Sequence, residues 1–357
     1  MDLPVLPPVA PMLARLARSL PAEEGYLFEP KWDGFRCLAF RDGPEVDLRS
    51  RHGRPFARYF PELVEALSSL PAKRFVLDGE ILVLTPAGAD FAALMLRTHP
   101  AASRVERLSR ETPASYMAFD VLAVDDRDLR DDAFADRRVA LERLLAGARP
   151  PLVVTASTSN YHTAAAWLEG FAGGGVDGVM AKHRDLRYQP GRRPPGMVKV
   201  KRERTADCVV AGFRWAHDRP VLGSLLLGLH DPAAGELRHV GVCSSFTEEQ
   251  RGQLLADVRP LVVALEGHPW EHGFNVARSP MGRLKGAAGR WVPGSMVPDW
   301  VPLAPELVAE AAYDQLDGQR FRHPARFVRW RPDREAASCT FEQFESRPAL
   351  VPHPPWT

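Results

Sequence analysis

Residues 29–40 read EPKWDGFRCLAF and place Lys31, Asp33, Gly34 and Arg36 between an apolar lead-in and a strand-like tail. A lysine at a strand end is ordinarily a solvated or ion-paired side chain. On this stretch alone that reading would stand. The remainder of the chain decides whether the lysine has a chemical task.

At 357 residues and 45% apolar composition, the chain is too long for one small core and ample for two ordinary domains. Charged residues make up 25%, yet the formal net charge is only +1, so any surface for nucleic acid has to be local. Four scattered cysteines (Cys37, Cys208, Cys243, Cys339) form no CxxC pair, which argues against a zinc site or disulfide framework and fits reduced, buried thiols. The first twenty residues contain four prolines and an early aspartate where a signal peptide needs a basic start and an apolar core, and no apolar run is long enough to span a bilayer. The expectation is a soluble, cytoplasmic protein with no membrane partner.

Working outward from Lys31, the β-rich runs 26–43, 45–53, 74–88 and 115–129 each end at an Asp/Gly turn or acidic loop, the spacing of an antiparallel meander. Apolar residues at three- and four-residue intervals predict helices within 60–71, 134–147 and 163–175, and 175–185 and 196–215 return to strand. Interleaved antiparallel strands and helices indicate an α+β domain over residues 1–203. Beyond it, the short β-like runs 207–215, 221–231 and 237–246, a helix within 247–265, and the runs 306–316 and 322–333 fit a small, partly open barrel over 204–357. The Gly- and Pro-rich stretch 268–300 carries scattered Arg, Lys and Trp and reads equally as a long loop or as an arm touching a nucleic-acid strand.

Lys31 gains meaning from an ordered series downstream of it: SRHG (50–53), LDGE ending at Glu80, AFDVL with Phe119, DGVMAK (177–182), VKVK (198–201) and RWRPDR (329–334). One such piece is weak, but the ordered series resembles the ATP-dependent DNA ligases of the covalent nucleotidyltransferase superfamily, over nearly the whole chain. It is most similar to the compact bacterial ligases built of an adenylation domain and a barrel alone. The resemblance implies an ATP-grasp-like nucleotidyltransferase domain of antiparallel sheets and helices, then an OB-fold barrel.

It also implies roles. Lys31 would be the nucleophile that becomes lysyl-AMP. An amine attacks phosphorus only when unprotonated, and a free lysine has a pKa of about 10.4, so Arg36, Lys199, Lys201 and a bound magnesium would favour the neutral form by crowding it with positive charge. Gly34 suits a tight turn beside the nucleotide, and Asp33 could hold that turn or orient a cation. Glu80, taken alone a hairpin acid, would meet the ribose or hold metal, and Phe119 would stack on adenine. Asp177 stands where many relatives carry Glu, which leaves its expected part in binding Mg2+ (or Mn2+) less defined. Lys199 and Lys201 alternate with valines and so share one strand face. An exposed strand edge often carries lysine, but the segment 182–204 holds an excess of seven positive charges. The resemblance gives them the α-phosphate. Arg331, Asp333 and Arg334 match a final "R-x-D-K" motif that, in such ligases, covers the β- and γ-phosphates of ATP; here Arg replaces the usual Lys and keeps the charge. Arg51, Lys182 and Arg322 are assigned to the nucleic acid.

The activity implied is sealing of 5′-phosphate/3′-hydroxyl nicks in duplex DNA, in repair, by a monomer of bacterial origin that grips DNA through phosphates. With Lys31 so near the start and no clustered cysteines, neither the extra domain nor the four-cysteine element of the NAD-dependent relatives fits, and ATP is the expected donor. RNA ligases and mRNA-capping nucleotidyltransferases share KxDG and the paired lysines and remain the enzymatic alternative. A non-catalytic nick-binding protein is the other, disfavoured because Lys31, Glu80, Lys199 and Lys201 are all retained.

Overall fold

A computed structural model describes residues 1–86, 88–170, 175–201, 204–216, 219–271, 300–314 and 316–344. It contains two compact units, Met1–Arg202 and Glu203–Ser346. The stretch 268–300, read as a long loop or an arm on nucleic acid, falls almost wholly on 272–299, outside the described residues. No described helix is long and apolar enough to cross a membrane.

Two sheets make up the first unit. One has the strand order Arg15–Ala17, Met197–Lys201, Val176–His183, Tyr26–Trp32. The other runs Glu45–Ser50, Phe35–Asp42, Arg74–Thr85, Ala114–Val124, Arg127–Asp128, with Leu152–Val154 added in parallel to Ala114–Val124. The α+β expectation is met, but the simple meander is not. Tyr26–Trp32 and Phe35–Asp42 do not pair with each other; the chain passes from one sheet to the other at Asp33–Gly34.

Alternation along the first sheet sorts its side chains by face. Phe28, Val179, Ala181 and Val200 are buried together with Ala164 of the helix Tyr161–Gly170, and a large apolar side chain such as Phe28 contributes about 1.5–3 kcal/mol when fully buried. Intervening positions carry Glu29, Lys31, Met180, Lys182, Met197 and Lys199, which open onto a cleft. Across the second sheet, Phe75, Leu77, Ile81, Tyr116 and Ala118 enter a core capped by the helix Pro61–Ser69. Its other face presents Arg36, Glu80 and Phe119 to the same cleft.

Gly34 is required for a reason the sequence did not suggest. A Cβ there would lie 2.2 Å from the Ile81 carbonyl oxygen and 2.6 Å from a Leu82 methyl. The close approach is to the neighbouring strand.

In the second unit five antiparallel strands lie in the order Glu236–Cys243, Arg219–Asp231, Arg204–Ala216, Val301–Tyr313, Arg326–Trp330. The two outer members meet again, because the Ala325 N–H donates to the Val242 carbonyl at 2.8 Å and Cys243 bridges to Ala325. That contact curls the sheet into a partly open barrel filled by residues such as Val209, Phe213, Leu225, Leu227 and Val308. Register shifts at Val210/Gly212 and Arg214/Trp215 supply the local bends that curling needs. The helix Glu248–Val258 starts at a capping box of Thr247 and Gln250. It ends before Pro260, shorter than the expected 247–265.

Candidate active site

Lys31 sits one residue from the end of Tyr26–Trp32, where the chain leaves the first sheet. The Asp33 N–H donates to the Gly175 carbonyl at 3.0 Å, which fixes the exit. Facing the amine is Asp177. The strand Val176–His183 has a register break between Val176 and Val179, where Gly178 sits at φ +156° against the Val200 carbonyl. Such a bulge re-aims the preceding side chain, and the Asp177 carboxylate here takes the Lys31 Nζ at 2.5 Å and the Lys201 Nζ at 2.9 Å. The cation-crowded lysine anticipated from sequence therefore has an acid as its immediate partner. Lys199 borders the same cleft, and its pKa is lowered by burial and then by Lys31, Lys201 and Arg193.

The opposite wall comes from Phe35–Asp42 and Arg74–Thr85, on which Arg36 and Glu80 are directly paired. Glu80 Oε1 accepts the Gly34 N–H at 3.2 Å. Burial pushes its pKa up to about 7 against the opposing pull of Arg36 and Lys31, and in its ionised form the carboxylate can accept from a cation or a hydroxyl. Arg36 forms a two-point pair with Asp78 at 2.6 and 2.5 Å. Burial acts against its charge, but Asp78 more than offsets this and raises its pKa. Asp78 also accepts the Tyr188 hydroxyl at 2.6 Å, and that hydroxyl accepts the Met12 N–H at 3.0 Å.

Phe119 is 9% exposed at the cleft. Its ring lies 4.4 Å from the Arg36 Cζ and 4.8 Å from the Lys182 Nζ, so it serves as a cation–π platform. Lys182 departs from expectation. Assigned to nucleic acid, it is 2% exposed, paired with Glu29 at 2.8 Å, and donates to the Phe119 carbonyl at 3.2 Å. A cation held this way offers no surface to a duplex. Arg51 is an exposed turn residue at the cleft rim.

Among the assigned residues, the first unit thus brings together Lys31, Arg36, Arg51, Glu80, Phe119, Lys182 and Lys199 around one cleft, with Asp177 and Lys201 bonded at its edge. Glu29, Asp78, Tyr188 and Arg193 were missed. A signal existed for the two acids, since Glu29 and Asp78 stand two residues before Lys31 and Glu80 and so share their strand faces. Among the described residues no three His, Cys, Asp or Glu side chains form a ready metal cage. Two carboxylates, Glu80 and Asp177, are compatible with Mg2+, which commonly takes one or two protein carboxylates and completes its shell with phosphates and water.

In the barrel, Arg331 binds Asp207 through Nη1 at 2.9 Å to each carboxylate oxygen, and Asp333 through Nε and Nη2. The bond to Arg331 holds the Asp333 carboxyl down at about 2. Arg334 lies 3.6 Å from Asp207 and is more exposed than Arg331, 40% against 20%. Arg322 lies in the segment leading into Arg326–Trp330.

Comparison with known proteins shows the family. Residues 11–201 match the model of the ATP dependent DNA ligase domain, and 218–334 that of the ATP dependent DNA ligase C terminal region. DNA ligase C2 of Mycolicibacterium smegmatis is 50% identical over 98% of this chain and 97% of its own length. DNA ligase C of Mycobacterium tuberculosis is 47% identical over the same shares of each. A solved structure described as a minimal-scaffold Lig E DNA ligase covers 90% of this chain and 99% of its own at TM-score 0.55 and 18% identity, which supports the fold alone. Motifs, cleft and relatives agree: the chain belongs to the ATP-dependent DNA ligase family.

Proposed function

We propose that this ligase seals nicks in duplex DNA through a lysyl-AMP formed on Lys31, with residues 1–203 as the adenylation domain and 204–357 as the OB-fold domain. The observation that carries the reading is the Lys31 amine, poised at the sheet-to-sheet crossing and bonded to an acid shared with Lys201. Released from Asp177 and stripped of a proton, the amine attacks the α-phosphorus of ATP. An N–P bond forms, the α–β phosphoanhydride breaks, and pyrophosphate leaves. An oxygen of the nick 5′-phosphate next attacks that phosphorus and frees Lys31. Finally the 3′-hydroxyl attacks the activated phosphate, joins the strand and expels AMP.

Positioning and cationic stabilisation of phosphoryl oxygens supply most of the rate. Lys199 and Lys201 would hold the α-phosphate, Glu80 the ribose, and Phe119 with Arg36 the nucleoside end. Glu80 and Asp177 would hold Mg2+, which supplies charge neutralisation of the triphosphate. Arg51 and Arg322 would meet DNA phosphates, the enzyme acting as a cytoplasmic monomer in repair. Sealing assays on nicked duplexes with DNA/DNA, RNA/DNA and RNA/RNA strands test this directly. ATP-dependent sealing of a DNA nick is expected; joining of RNA ends alone would overturn it in favour of an RNA ligase.

A further inference from the structure

Asp207 belongs to none of the sequence motifs, yet both its carboxylate oxygens hold the first arginine of the last one. It lies on Arg204–Ala216 and is 15% exposed at its side chain. Its two oxygens take Arg331 Nη1 at 2.9 Å, while its backbone N–H donates to Gln343 Oε1 at 2.8 Å. With Asp333 on the other edge, all three nitrogens of the Arg331 guanidinium are engaged by carboxylates. One guanidinium between two carboxylates is a group of net negative charge and a poor receptor for a phosphate. Arg331 is also tied through its backbone, donating to the Val308 carbonyl at 2.8 Å and accepting from the Arg334 N–H at 3.1 Å. The same turn that locks Arg331 carries Arg334 outward, where its guanidinium is 40% exposed and makes only the longer 3.6 Å approach to Asp207 among the described ion pairs.

We propose that Asp207 is a positioning residue for the final motif: it fixes Arg331 as the pillar of the 331–334 turn and leaves Arg334 as the cation presented to the leaving pyrophosphate. This rests on the reading that the motif serves the charging of Lys31 with AMP. It divides that motif's two arginines by task. Arg331 holds the turn and Arg334 reads phosphate. Uncoupling Asp207 would leave Arg331 held by Asp333 alone and let the turn shift, whereas once Arg331 is gone the loss of Asp207 has no guanidinium left to release.

The test is a double-mutant cycle on full-length protein, following AMP transfer from labelled ATP and, separately, sealing of a nick that already carries the 5′-adenylate. Asp207→Asn should slow charging about tenfold, and adding Asp207→Asn to Arg331→Gln should cause little further loss beyond Arg331→Gln alone. Arg334→Ala should slow charging by about a hundredfold or more, and Arg334→Lys far less. Thermal melting of each variant separates loss of fold from loss of position. If Arg331→Gln is as damaging as Arg334→Ala and the losses from Asp207→Asn and Arg331→Gln simply add, Arg331 itself reads phosphate and the proposal fails. Equal damage by Arg334→Ala to charging and to sealing of the adenylated nick would instead bring down the reading of the motif on which it rests.

Discussion

The cleft of the first unit and the arginine turn of the barrel both pair cations with carboxylates, but they do so at different depths. Asp78 is fully buried and binds Arg36, whereas Asp207 and Asp333 hold Arg331 at a strand end where Asp333 remains 59% exposed. A fully buried carboxylate cannot lose its partner without a large desolvation penalty, so Asp78 anchors Arg36 at the cleft wall. Of the two acids on Arg331, the exposed Asp333 can let go at little cost, while the largely covered Asp207 keeps the guanidinium in place. Asp177, at 5% exposure, lies between Asp78 and Asp207, and its partner Lys31 is 18% exposed.

Breaking the buried side of this comparison should have the largest effect on stability. Asp78→Ala strands the Arg36 guanidinium and the Tyr188 hydroxyl, and should cost about 3–5 kcal/mol in urea unfolding. A loss of under about 1 kcal/mol would mean that the pair is not structural. Gly34→Ala comes next. The added methyl meets the Ile81 carbonyl at 2.2 Å and should cost about 1–3 kcal/mol while moving Lys31 off its position, so melting temperature and charging rate should fall together.

A smaller, pH-dependent effect sharpens the contrast at Glu80. Its pKa rises on folding from 4.5 to about 7, so the folded state binds the extra proton and stability falls as pH climbs through that window. Glu80→Gln removes the penalty. The variant should match the parent near about pH 4 and exceed it by about 1–3 kcal/mol at about pH 8 in nucleotide-free protein, read from denaturation midpoints. A difference independent of pH would show that burial does not load this carboxylate.

Much of the site could be read from the sequence because strand alternation is local. Lys199 and Lys201 fall on one face with valines on the other, and DGVMAK and LDGE sit on strands as their patterns require. What could not be read are contacts between distant segments. Asp177 meets Lys31 across 146 positions and Asp207 meets Arg331 across 124, and no local pattern announces either. The sheet crossing at Asp33–Gly34 was hidden for a similar reason, since a DG pair signals a turn but not which sheet the chain enters next. The helices Phe91–Arg97 and Ala102–Glu111 were missed as well. The first is only seven residues long and the second, although its apolar residues fall at three-residue intervals, buries only Val105, so each offers a short period among charged or unbroken apolar neighbours.

Nucleotide chemistry and fold converge on one amine at the seam between two sheets. Protein incubated with ATP and Mg2+, then digested and analysed by mass spectrometry, should carry AMP on the peptide containing Lys31, and Lys31→Ala should carry none. Adenylate found on another residue, or equal labelling of the Lys31→Ala variant, would contradict the account.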